Sequence, residues 1–115
     1  MPTYFEGVLA VERRRLAGAT VVTASGDIDL ATVRRLRWSL DSVAPGSGPL
    51  VLDLSGVTFF GSVGVSLLLE TARRARAGRI DVRLTCSGHV LRVLEMIGVR
   101  DEFAIHDSLF AALAD

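Results

Sequence analysis

A single cysteine, Cys86, occurs in the 115 residues, so no intrachain disulfide can form. No CxxC motif or Cys/His spacing of a metal site surrounds it. That scarcity predicts a reduced compartment, the cytoplasm, and no metal or other cofactor. Charge of one sign is also missing: Lys and Arg total 13 and Asp and Glu total 13. An even balance argues against nucleic acid or an anionic membrane as a direct partner. Every apolar run is broken by Ser, Thr, Glu or Arg well short of the roughly 20 residues that a bilayer span requires. The opening "MPTYFEGVLAVERRR" lacks the basic and then apolar regions of a secretory signal. Internal repeats and low-complexity segments are absent as well, although Arg clusters in "ERRR", "RRLR" and "RRARA".

What is present is a chain with half its residues hydrophobic, enough to bury a core in one domain over residues 1–115. "VLAVER" and "TVVTAS" read as two strands joined through Gly18 as a hairpin. "GDIDLATVRRLRWSLDSVA" spaces Leu30, Val33, Leu36, Leu40 and Val43 by three and four. Asp29 is placed to cap this helix and Pro45 lies past its end. "LVLDLSGV" is a compact apolar run of the kind buried on both faces of a sheet. In the next helix Val65, Leu68, Leu69, Ala72 and Ala75 share a face, with Gly78 as C-cap. "RIDVRLTC" is a strand, and "SGHVLRVLEMIG" a helix through Val90, Leu91, Leu94 and Ile97 closed by Gly98. "EFAIH" is a short strand, and "DSLFAALAD" a short helix capped by Asp107. The order β-β-α-β-α-β-α-β-α predicts an α/β fold. Its sheet is mixed and mostly parallel, of about four to five strands with about four helices.

The stretch "FFGSVGVSLLLE", residues 59–70, holds the most suggestive chemistry. In an open α/β sheet, partners meet the protein where strand ends lead into helix N-termini, and Ser62 stands at such a junction. A serine there commonly caps the helix with its hydroxyl. Once phosphorylated, it would also present its oxygens to the same unpaired N–H groups. Gly61 and Gly64 leave that hydroxyl unshielded. A P-loop would need a Lys that "GSVGVS" lacks. A nucleophile elbow would need a second glycine two residues after Ser66, where Leu68 stands. His89 and His106 are isolated beside helix starts, where capping or packing is their commoner role. No catalytic set assembles, so the sequence does not read as an enzyme.

"GDIDLATVRRLRWSL" followed by "LVLDLSGVTFFGSVGVSLLL" resembles the STAS-domain anti-sigma-factor antagonists, over nearly the whole chain. In that family a strand of the type Leu-Asp-Leu-Ser-x-Val leads to Asp-Ser-Ser/Ala-Gly at a helix start, and the first serine is phosphorylated. The resemblance places the phosphorylation site at Ser62, the motif glycine at Gly64 and the acidic residue heading the first helix at Asp29. Position 61 departs from the pattern, with Gly61 for the usual aspartate, and Val63 replaces the small second residue.

The resemblance implies partner switching. The unphosphorylated antagonist binds an anti-sigma factor that is also a serine kinase, phosphorylation by that kinase breaks the complex, and a serine phosphatase resets it. The implied partner-binding ridge comprises Asp27, Asp29, Phe60, Gly61, Ser62, Gly64 and Val65, with Phe60 equally readable as a core residue continuing its strand. Asp27 and Asp29 are equally readable as caps. Trp38 falls on the polar side of the first helix, where it would anchor a second partner or a homodimer unless buried against the sheet edge. Two other classes fit the same residues. One is a non-switching STAS adaptor of a larger signalling or lipid-transport assembly, and the other is an anion- or nucleotide-binding module using the helix N-terminus.

Overall fold

The computed structural model describes residues 8–114. Strands β1 (Leu9–Leu16) and β2 (Ala19–Ile28) form an antiparallel hairpin. Its two turn residues, Ala17 and Gly18, have φ of 51° and 77°, the left-handed pair that matches the twist of the flanking strands. Then follow α1 (Val33–Asp41), β3 (Leu50–Phe60), α2 (Ser62–Gly78), β4 (Val82–Cys86), α3 (Gly88–Ile97), a 3-10 turn at Arg100–Glu102, β5 (Ala104–His106) and α4 (Leu109–Leu113). The strands lie in the order β1-β2-β3-β4-β5, each from β3 onward parallel to its predecessor. Five strands in a mixed, mostly parallel sheet with four α-helices is the α/β architecture that the element order predicts.

Because the sheet grows in one direction, right-handed crossovers must put α1, α2 and α3 on the same face. They do: Leu36 and Leu40 of α1, Val65, Leu67 and Leu68 of α2, and Val90 and Leu94 of α3 share one core with Val22, Ile28, Leu52, Leu54 and Leu84 of the sheet. The short α4 covers part of the other face, where Ala112 closes over Ala19, Val21 and Val51. Residues 50–54 of β3 are all buried, as expected of a central strand. Among them Asp53 sits on the α4 side and its Oδ1 accepts hydrogen bonds from the Ser55 N–H and the Ser55 and Thr85 hydroxyls at 3.1, 2.6 and 2.8 Å. Burial pushes its pKa up, but these bonds and the charge of Arg14 outweigh burial and hold it below the usual carboxylate value. Asp53 is therefore an ionised clamp between β3 and β4. Burial likewise pushes the Cys86 thiol up to about 11, which leaves it protonated and unreactive near neutral pH. Among the described residues no helix is long and apolar enough to cross a membrane.

Four local expectations are corrected. Leu30 is 79% exposed, outside the buried stripe of α1, because residues 29–32 form a turn and the helix begins only at Val33. The left-handed residue closing α2 is Arg79 (φ 56°) and not Gly78. There the Ile80 N–H donates to the Ala75 carbonyl at 2.8 Å and the Ile80 side chain packs on the core, so the hydrophobic contact beyond the cap sets where the helix stops. Ser108, not Asp107, caps α4, its hydroxyl accepting from the Ala111 N–H at 3.0 Å. Ile97 is 51% exposed at the end of α3.

Candidate functional site

The ends of β2 and β3 converge on the start of α2. The ladder between them shifts register twice, from Thr23↔Asp53 to Ser25↔Gly56 and from Gly26↔Val57 to Asp27↔Phe59. Each time β3 carries the extra residue, which is how a bulge re-aims side chains at a strand end. The second shift pairs Ile28 with Phe60 and Asp27 with Phe59. Phe60 consequently turns inward and is 3% exposed, whereas Phe59 turns outward and is 49% exposed. The Gly61 N–H donates to the Ile28 carbonyl at 2.9 Å, which ties the segment 27–29 alongside the entry to α2.

Gly61, with extended backbone, is the N-cap residue of α2, and Ser62 is its first helical residue. This corrects the capping alternative for Ser62. Its side chain is exposed and makes no hydrogen bond among the described residues. The hydroxyl thus stands free beside the unpaired N–H groups of a helix N-terminus, where negative charge is favoured. Asp27 and Asp29 are partly exposed beside this entry. Asp27 Oδ1 accepts from the Thr58 hydroxyl at 3.0 Å. Asp29 Oδ1 accepts from the N–H groups of Ala31 and Thr32 at 2.9 and 3.0 Å. In return, Thr32 Oγ1 accepts from the Asp29 N–H at 3.0 Å and donates to the Asp27 carbonyl at 2.6 Å. This reciprocal arrangement closes the turn at 29–32 that leads into α1. The N-cap of the helix itself is Thr32, without a side-chain cap bond, so Asp29 fixes the approach to the helix rather than capping it, and its carboxylate is held in place by the turn.

The remaining ridge residues lie beneath the surface. Phe60 is a core residue and not an exposed contact, and Val65 is 4% exposed. Gly64 is buried because the Phe60 ring occupies the space of a side chain: a Cβ there would lie 2.5 Å from Phe60 Cε1. These three support the ridge without offering side chains to a partner. The exposed aromatic at this edge is Phe59, for which the sequence offers no local signal. Its ring stacks on His89 from the first turn of α3, with centroids 6.2 Å apart at an interplanar angle of 27°. The His89 Nε2 is buried without a hydrogen-bond partner among the described residues. Only the period-two alternation of a longer β3 could have revealed Phe59, and the two bulges break that alternation. The surface therefore presents Asp27, Asp29, Thr58, Phe59 and Ser62 at one edge.

An aspartate fits at position 61. A Cβ on Gly61 would meet the Ile28 carbonyl oxygen and Phe59 Cε2 at 3.4 Å, ordinary contact, and φ is −80°. Gly61→Asp should raise stability by about 0.5–1.5 kcal/mol, through a capping carboxylate and a less flexible unfolded chain. Urea unfolding compared with the parent protein measures this, and an unchanged midpoint would mean that the new carboxylate does not reach the first-turn N–H groups.

The STAS domain family pattern matches residues 10–112. Osmosensory protein A of Mycobacterium tuberculosis is 36% identical over 92 residues, 80% of this chain and 56% of its own length. The anti-sigma-F factor antagonist RsfA of the same organism is 31% identical over 100 residues, covering 84% of this chain and 78% of RsfA. Among solved structures, an anti-sigma factor antagonist from Mycobacterium paratuberculosis superposes with a TM-score of 0.80 at 27% identity, covering 92% of each chain. With the family pattern spanning the hairpin to α4, and with the strand-to-helix junction built as described, the chain belongs to the STAS domain family.

Proposed function

We propose that this chain is an anti-sigma-factor antagonist, binding a serine-kinase anti-sigma factor through the edge around Ser62 and released when that kinase phosphorylates Ser62. A serine phosphatase would reset it, and the cycle would run in the cytoplasm without catalysis by this chain. The observation that carries the reading is the exposed Ser62 hydroxyl, which the capping of α2 does not use because Gly61 occupies the N-cap position. Similarity to RsfA supports the partner class. A phosphoserine adds about −1.5 to −2 charges at pH 7. Placed next to Asp27 and Asp29, that charge would have no cation of its own to pair with in an interface, and burying it is costly. Charge and desolvation at one residue are sufficient, so no rearrangement of the fold is invoked.

Gly61 also favours a second reading, a non-switching STAS adaptor, since the family's aspartate beside the serine is absent. Incubation with ATP and the cognate anti-sigma kinase, read by peptide mass spectrometry with Ser62→Ala as control, separates the two. Phosphate on Ser62, lost in the variant, is expected. Its absence, with the kinase active on another antagonist, would leave the adaptor reading.

A further inference from the structure

A second surface lies where α1 runs beside the outer edge of β1. An open groove there is lined by Leu9, Val11, Arg13, Arg34, Arg35 and Trp38, together with Ala31 and Ser39. Three of these eight residues are arginines and none is acidic. Trp38 is 74% exposed, which corrects the alternative that it packs against the sheet edge. An indole this large left in water on a small protein is a common mark of a contact surface.

Among the described residues, the strand beside it has no partner on its outer edge. The Asp27 N–H donates to the Val8 carbonyl at 2.9 Å, so in the antiparallel register of β1 and β2 the even-numbered residues of β1 turn their backbone groups to β2 and the odd-numbered ones turn outward. The outward carbonyl of Leu9 is taken by the Arg35 guanidinium at 2.9 Å. Val11 and Arg13 face outward on the edge strand of the sheet. Arg13 donates to the Ser42 hydroxyl, and Arg34 makes no ion pair with the described residues.

We infer that this groove receives an extended acidic segment of a partner protein, which lays its backbone along β1, sets carboxylates against Arg13 and Arg34, and inserts an apolar side chain between Val11 and Trp38. Charge selects this occupant. On the groove face of β1, which carries Arg13 and Arg15 while Glu12 turns to the opposite face, a second copy pairing edge to edge would set arginine against arginine, and like charges opposite one another destabilise a strand pair. An acidic strand turns the same row into attraction, the usual logic of strand addition with side-chain specificity.

Trp38 is the sole tryptophan of the chain, so its emission reports the groove directly. The probe is a short peptide alternating acidic and aliphatic residues, with a version carrying lysine in place of the acids as control. A saturable emission change with the acidic peptide only is expected, weakened about tenfold or more by Arg34→Glu, an exposed position where the fold tolerates the change. An equal response to both peptides, no saturation, or indifference to Arg34→Glu would overturn the assignment. Emission that changes with the concentration of the protein alone would assign the groove to a second copy and overturn it too.

Discussion

Ser62→Asp should bind the cognate anti-sigma factor about a hundredfold more weakly than the parent protein, equivalent to about 2.7 kcal/mol. The substitution places a carboxylate in the first turn of α2, at the edge that already carries Asp27 and Asp29. For the isolated protein the change is mild, because the position is exposed, makes no hydrogen bond, and lies where the helix dipole favours negative charge. For the complex it is severe, since burying an unpaired charge in an interface costs far more than exposing one. Titration calorimetry with both proteins, alongside thermal melts of the variant, reads the two effects separately. Ser62→Ala should keep both binding and stability. Equal binding by Ser62→Asp and the parent would remove the charge switch and leave the adaptor reading.

Gly26→Ala should be among the most damaging single substitutions, destabilising by roughly 3 kcal/mol or more. Gly26 has φ of 106°, and an added Cβ would lie 2.1 Å from the Val8 carbonyl oxygen. That oxygen accepts the Asp27 N–H, so it cannot retreat without giving up the bond that closes the open end of the hairpin. The expected fall in melting temperature exceeds about 10 °C for a domain of this size. Binding at low temperature should weaken as well, because Asp27 follows directly on the strained residue. A melting temperature within a few degrees of the parent would show that the start of β1 shifts freely, and that the close approach of Gly26 to Val8 does not fix Asp27.

The sequence carried the element order, the hairpin and the position of Ser62 because each rests on local signals: periodicity, turn glycines and an apolar run that ends at a helix start. It concealed what depends on pairing between strands. "LVLDLSGV" read as a strand ending at Val57, yet β3 continues to Phe60, because the two bulges consume residues that an unbroken alternation would have assigned to alternate faces. The same bulges decide that Phe60 is core and Phe59 is surface, which no count along the chain could settle. Leu30 kept helical spacing with Leu36 and Leu40 but lost its place in the stripe to the Asp29–Thr32 turn. Arg79 rather than Gly78 took the left-handed position, because Ile80 had to reach the core. The stacking of Phe59 on His89 joins residues 30 apart in sequence, and nothing near either one announces the other.

The strand order of the sheet repeats the order of the chain, from β1 at one edge to β5 at the other. During synthesis each strand therefore emerges to find its template already laid by the strand before it, and no gap has to be held open for a later arrival. Loop closure between neighbours spans one helix at a time, which keeps the entropy of assembly low at every step. The hairpin is the most local pairing of the sheet, and α4, the last element of the chain, covers Ala19 and Val21 of β2 and Val51 of β3. A chain halted after β4 would lack not only the far edge of the sheet but also α3, and with it Val90 and Leu94 of the core and the His89 ring that stacks on Phe59 beside Ser62.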